Sequence, residues 1–302
     1  MKKEYPLSAI YIITVLAMVF WSMAFIWVKQ LYELDFGPLT VVFLRLVVAS
    51  VVLSIITKVL RQGNTIRRED YKLIFFLAFS EPFCYFLGES FGMLFVTPTL
   101  ASVIVSTIPL VTPVFAWMIL REKVGICEIS GLLVSFGGVL ILVVEDLNLG
   151  GRLIGILLMC IAVVSGTAYT IILKLLADKY PALTITKYQT YIGMLLFMPL
   201  FYLFEYKQFL NLQISFSNFR NIFLLGALPS SLSFTFLAIA VRRLGVVKTN
   251  IFTNLIPVLT GVMAYYVLKE EFSAQKVMAM CLVIIGLFLS QLGRVKCGGK
   301  RG

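Results

Sequence analysis

The amino-acid sequence predicts an all-α membrane protein: ten transmembrane helices arranged as two inverted-topology five-helix repeats around a central cavity. Three observations carry this reading. The 302 residues are 60% apolar and only 14% charged, against roughly 45–50% and about 25% in ordinary soluble domains. Apolar runs near the ~20 residues needed to cross a bilayer occur at 8–28, 38–58, 72–91, 97–118, 125–145, 153–173, 184–204, 219–241, 247–268 and 273–292. Finally, the stretch IPLVTPVFAWMILREKV (Ile108 to Val124) returns 148 residues later as IPVLTGVMAYYVLKEEF (Ile256 to Phe272), with Pro109 over Pro257 and Glu122 over Glu270.

The first run follows MKK but exceeds the 7–15 residues typical of a signal-peptide core, and no A-x-A-like cleavage site follows FWSMAFIW, so it reads as a retained helix. The longest intervals between runs, KVLRQGNTIRRED and EYKQFLNLQISFSNF, are too short to house a soluble domain. Charge then sets the expected orientation. With the amino terminus inside, the inner loops and tails hold Lys2, Lys3, Lys58, Arg61, Arg67, Arg68, Lys72, Arg121, Lys123, Lys174, Lys179, Arg242, Arg243, Lys248, Arg294, Lys296, Lys300 and Arg301, which is 18 cations. The outer loops hold 5, namely Lys29, Arg152, Lys207, Arg220 and Lys269. This is a positive-inside bias over short loops. It places the chain in an inner or plasma membrane, both termini cytoplasmic, and accounts for the net charge of +11 without a nucleic-acid partner. Cys84, Cys127, Cys160, Cys281 and Cys297 form no CxxC pair and are expected as free thiols. The chain has no histidine, which removes HExxH zinc sites and Ser-His-Asp triads. No metal or cofactor is expected.

The repeat extends beyond its first quotation. At the same offset Gly138 meets Gly286, and at 144 residues MAFIWVKQLYELDFGPLT (Met23 to Thr40) lies against TAYTIILKLLADKYPALT (Thr167 to Thr184). The expected units are therefore 1–148, 149–293 and a basic tail, 294–302. An odd number of helices per unit forces the second to enter the membrane from the opposite side, the architecture of alternating-access carriers.

Taken in order, the runs offer these site candidates. On 8–28, Trp21 and Phe25 are placed near the cavity, matched by Ser165 and Tyr169 on 153–173. On 38–58, Arg45 lies about 10 Å deep from the outer end. On 72–91, Glu81 lies about 13 Å from the inner end, with Tyr85 and Glu89 following at i+4 and i+8 on one face. An intramembrane charge costs about 2.5–3.5 kcal/mol at a helix centre, so each needs a reason. Arg45 and Glu89 share a depth and can pair as a structural bridge or serve the site. Glu81 has no partner at its depth; it is read as a site for an amine or cation, or as a carrier of protons. On 97–118, Ser102, Ser106, Pro109 and Pro113 share a face, and Asn250, Asn254, Pro257 and Gly261 repeat it. That stripe is either interhelical glue or a cavity wall with Asn250 and Asn254 meeting substrate. Pro109 and Pro257 each deprive a carbonyl, of Val105 and Thr253, of its helical donor and are candidate hinges. Lys187 is read as snorkelling, and Glu122 and Glu270 as charges at the membrane interface or beside a gate.

FWSMAFIWVKQ, FLRLVVAS with Arg45, TLASVIVSTIPLVTPVFAWMILREKVGICEISGLLVSFGGVLIL and its echo VKTNIFTNLIPVLTGVMAYYVLKEEFSAQKVMAMCLVIIGLFL resemble EamA-type members of the drug/metabolite transporter superfamily. The resemblance covers nearly the whole chain. It implies ten helices around a central cavity, with the fifth and tenth runs peripheral, and transport of small metabolites, often amino acids or related compounds. The expectation is a carrier of a small-molecule substrate embedded in lipid, with protons as a possible coupling ion. An intramembrane enzyme acting on a lipid-linked substrate is the alternative.

Overall fold

The computed structural model describes residues 6–61, 65–112, 152–213, 215–270 and 273–298, with helical positions 130, 131, 133, 134, 136–138 and 141. Most of the 125–145 run, together with Pro113, Arg121, Glu122 and Lys123, lies outside the described residues, as does the side chain of Asn250. Among the described residues every regular element is helical. In chain order they are α1 (Leu7–Tyr32), α2 (Pro38–Val59), α3 (Arg68–Gly92), α4 (Pro98–Thr112), α5 (Arg152–Ala177), α6 (Ala182–Leu200), α7 (Phe216–Gly245), α8 (Leu255–Leu268) and α9 (Ala274–Gly298). Of these, α1, α2, α3, α7 and residues 153–177 of α5 are long and apolar enough to cross a membrane.

The helix starts follow local chemistry. Pro38 and Pro98 occupy first-turn positions, where a missing N–H costs nothing. The side chains of Thr97 and Ser215 accept from Leu100 N and Asn218 N. Gly245, at φ 80°, ends α7 in a backbone conformation that favours glycine, and a further helical stretch leads through Phe252 to α8. Several hydroxyls within the helices are satisfied locally: Thr14, Ser22, Thr57, Thr167 and Thr170 each donate to the carbonyl four residues back.

Contacts between elements come in pairs. The α3–α5 interface has its counterpart in α7–α1, α1–α8 in α5–α4, and α2–α7 in α6–α3, while α2–α6 and α4–α8 are their own counterparts. This is the pattern of two repeats related by a pseudo-two-fold axis. All of these interfaces join the first half to the second, so the halves interleave.

Four departures from unbroken helix also pair across the halves. Both α3 and α7 widen into a π-helical turn, at Phe79–Cys84 and Leu228–Ser233, each containing a proline. Helical geometry is interrupted just after α4's first turns, at Ser106 and Thr107, and just before α8, at Thr253 and Asn254, in each case ahead of Pro109 or Pro257. Two expectations are thereby corrected. The 72–91 run is not one regular helix, since Glu81 sits at φ −147°, ψ 122° before Pro82 and the Glu81–Pro82 peptide is cis. Helix also continues past residue 204, through Phe201–Glu205 to Tyr206–Leu210, where a loop was expected.

Lipid offers no hydrophobic drive for helices to associate, so close contact of small residues does this work. Along the α3–α5 seam, Gly88 and Gly92 face Gly155, Met159 and Ala162; a Cβ on Gly88 would lie 2.5 Å from Leu158 O and 2.8 Å from Ala162 N, both backbone atoms. Gly88→Ala is therefore expected to destabilise the fold by about 1–3 kcal/mol, the usual cost of overpacking, read as a lower unfolding temperature of detergent-purified protein; an unchanged temperature would contradict this seam.

Candidate functional site

The interrupted helices converge on one cavity, with about 90 Å³ open to the centre of a water molecule. Trp21 and Phe25 of α1, Arg45 of α2, Glu81, Tyr85, Phe86 and Glu89 of α3, and Ser106 and Pro109 of α4 line it from the first half. The second half contributes Tyr169 and Thr170 of α5, Phe234 and Leu237 of α7, and Thr253 and Ile256 at the α8 break. Six of the sequence candidates for substrate contact, Trp21, Arg45, Glu81, Tyr85, Glu89 and Tyr169, thus stand around a common space. Asn254 is buried but does not line it. Pro109 lines it, whereas Pro257 is buried elsewhere.

Arg45 is 2% exposed and held in a fixed pose. Its Nε donates to Ser230 Oγ at 2.8 Å, and its guanidinium carbon lies 4.2 Å from the Phe86 ring centroid, a cation–π distance. The anticipated Arg45–Glu89 contact is not made at ion-pair distance among the described residues, where the only ion pair is Lys179–Asp70. Glu89 instead accepts from the Tyr85 hydroxyl at 3.0 Å. Glu81 makes no hydrogen bond among the described residues and lines the cavity. Arg45 and Glu89 thus line the same cavity while their nearest hydrogen-bond partners are Ser230 and Tyr85.

Ser230 is placed by the same chemistry that breaks α7. Pro229 has no N–H to give the Leu225 carbonyl, and the Ser230 hydroxyl donates to it at 2.8 Å. The aromatic wall is organised around Phe234, which meets Trp21 edge-on at 5.5 Å, Tyr169 at 5.9 Å and Phe86 at 6.5 Å between centroids. Neither Ser230 nor Phe234 was singled out by sequence. The signal was present, since the offset of 148 lays Phe86 on Phe234.

Away from the cavity, polar contacts tie the halves together at both ends of the bundle. At one end Glu205 accepts from Leu39 N (3.1 Å), Thr40 N and Thr40 Oγ1 (both 2.7 Å), capping α2 from the end of the α6 helix. At that end too, Thr99 Oγ1 donates to Glu270 at 2.9 Å. At the other end Lys179 Nζ and Tyr180 Oη donate to Asp70 at 2.8 and 2.6 Å, and the Asp70 carboxylate lifts Lys179 above the usual lysine range. Lys187 reaches Thr57 Oγ1 at 3.4 Å and lies over the Tyr191 ring.

A multi-pass bundle of interleaved repeats around a charged, aromatic-walled cavity defines the class: a membrane transporter. The sequence matches the EamA-like transporter family twice, over residues 8–144 and 153–292, and the chain belongs to that family. It is 25% identical over 257 residues to the uncharacterized transporter YetK of Bacillus subtilis, covering 82% of this chain and 76% of that one. It is 23% identical over 280 residues to an uncharacterized transporter of Archaeoglobus fulgidus, covering 92% and 97%. A solved crystal structure shares the fold, with a TM-score of 0.70 over 95% of this chain and 99% of its own at 17% identity.

Ser230→Ala is expected to leave both Arg45 Nε and the Leu225 carbonyl without their partner, costing about 1–3 kcal/mol. Thermal unfolding of the purified variant reads this, and Ser230→Thr, which keeps the hydroxyl, should recover most of the loss.

Proposed function

We propose that the protein is a carrier, with no catalytic role, that moves small polar metabolites, amino acids or related compounds, across the cell membrane by alternating access. The positive-inside bias of the loops supports cytoplasmic termini. The observation that carries the reading is the cavity itself: Arg45 and Glu81 offer opposite charges to a solute within a wall of Trp21, Phe25, Phe86, Tyr169 and Phe234. A zwitterion presents its carboxylate to Arg45 and its ammonium to Glu81, while the rings accept the apolar remainder. Arg45 suits the first task because its Nε is already occupied by Ser230, which fixes the fork, and a guanidinium binds a carboxylate in two parallel hydrogen bonds. The volume of about 90 Å³ suits a small solute.

Glu81 also gives the carrier a means of coupling. A buried carboxyl without a fixed partner binds either a proton or the positive end of a substrate, and a group that must hold one of the two links their movements. Under this reading protons are exchanged for substrate.

Purified protein in liposomes, offered a labelled panel of amino acids and small metabolites with and without an imposed pH gradient, tests both statements. Saturable uptake of one class is expected, driven by the gradient. Glu81→Gln should lose gradient-driven uptake and retain counterflow exchange, and Arg45→Gln should raise KM by roughly tenfold or more, the worth of a hydrogen bond to a charged group. Silence across the panel from correctly inserted protein would sink the carrier reading; wild-type behaviour of Glu81→Gln would leave that residue structural.

A further inference from the structure

The two interrupted helices that face each other across the cavity are equivalent in sequence and unequal in what they show to it. On the α4 side the cavity is lined by Val105, Ser106, Ile108 and Pro109. Displaced by 148 residues, the counterparts are Thr253, Asn254, Ile256 and Pro257, of which only Thr253 and Ile256 reach the cavity. Asn254 is turned away from it, 3% exposed, and neither its Nδ2 nor its Oδ1 has a hydrogen-bond partner among the described residues. Ser106, by contrast, has its hydroxyl bonded to the Ser102 carbonyl at 2.7 Å.

A buried side-chain amide with both ends unpartnered is a cost that native proteins rarely leave standing, about 1–3 kcal/mol for each group left without a partner. It calls for a second arrangement in which the amide is used. The backbone on either side already has the means to provide one. Pro257 cannot donate to the Thr253 carbonyl, which takes Ile256 N at 3.0 Å instead, and the helix is interrupted at Thr253 and Asn254. The stretch that carries Asn254 can therefore turn without breaking a run of helical hydrogen bonds.

We propose that Asn254 is a substrate-binding residue of the opposite-facing state: when the halves exchange conformations, α8 takes the pose that α4 holds here, Asn254 enters the cavity in the place of Ser106, and Ser106 withdraws. The inference rests on the alternating-access reading. The two ends of the transport cycle then differ chemically. One presents a hydroxyl already engaged with its own helix, and the other presents a free amide that can both donate to and accept from a polar solute. Affinity for the solute accordingly differs between the two membrane faces.

The test places single cysteines at Ser106, Asn254 and Thr170 in full-length protein whose five native cysteines are replaced by serine, in liposomes of fixed orientation, with a membrane-impermeant maleimide applied to one face at a time. Thr170 lines the cavity and is the control, since alternation brings Thr170→Cys into reach from both faces in turn. Ser106→Cys should react about tenfold or more faster from one face, as expected for a residue exposed in only one of two states, and Asn254→Cys should show the same preference for the opposite face. If Thr170→Cys reacts from a single face, the alternating-access reading itself fails and the proposal with it. If Thr170→Cys reacts from both faces while Asn254→Cys is inert, or favours the same face as Ser106→Cys, alternation stands and the role of Asn254 is overturned. Asn254→Ser supplies a readout that does not depend on labelling. It should raise the KM measured at one face severalfold and leave the other unchanged, whereas an equal change at both faces, or none, would make Asn254 a packing residue.

Discussion

Inside a bilayer every backbone N–H and C=O must find its partner within the protein, and the form of this molecule follows from that rule. Whole helices satisfy it along most of their length. Where the chain departs from helix, at Phe79–Cys84, Leu228–Ser233, Ser106–Thr107 and Thr253–Asn254, it does so next to the cavity, and at Leu228–Ser233 and Ser106–Thr107 side-chain hydroxyls bond to backbone carbonyls. Ser230 supplies to Leu225 what Pro229 withholds, and Ser231 donates to the Ala227 carbonyl in the same turn. The same hydroxyl of Ser230 then fixes Arg45. Repair of the backbone and placement of a binding group are thus one arrangement, and a site of this kind is costly to move elsewhere on the fold.

The interleaving of the halves has a mechanical meaning. Because α3 lies on α5, α1 on α7 and α8, and α2 on α6, most of the packing among the described residues runs between the halves. Small residues along the α3–α5 seam let backbones come close without interlocking side chains, and smooth surfaces of that kind can shift against one another. The capping of α2 by Glu205 and the Asp70–Lys179–Tyr180 cluster hold opposite ends of the same assembly. The cavity lies between two sets of polar ties, while its own walls are mainly aromatic contacts centred on Phe234.

Much of the fold was legible because a repeat is a long-range signal printed in a linear sequence. The offsets of 144 and 148 residues reported which helices would correspond, and composition reported where they would lie. Polar residues stranded in apolar runs were equally visible, and Trp21, Arg45, Glu81, Tyr85, Glu89 and Tyr169 all stand at the cavity. What could not be read was pairing across distant sequence. Arg45 finds Ser230 at a separation of 185 residues, and Glu205 finds Thr40 at 165, through packing that no local pattern encodes. The Arg45–Glu89 pairing was inferred from depth alone, and a shared depth brings both to the cavity without fixing which hydrogen-bond partner each side chain takes. Pro82 was in plain view, but a proline announces that a helix changes without saying whether it bends, stops or widens.

The frame is symmetric and its chemistry is not. Arg45, Glu81 and Glu89 all belong to the first half; the offset of 144 residues that superposes Gly37 on Pro181 sets Gln189 opposite Arg45, that of 147 which superposes Pro82 on Pro229 sets Leu228 opposite Glu81, and that of 148 which lays Phe86 on Phe234 sets Leu237 opposite Glu89, all uncharged. If the halves trade shapes as proposed, the titratable groups travel with one of them and nothing equal travels back with the other. Displacement of charge through a membrane field is work, about 2.3 kcal/mol for each elementary charge carried across 100 mV. Under the proposed alternation, the lopsided placement of three side chains would let the membrane potential act on the transport cycle.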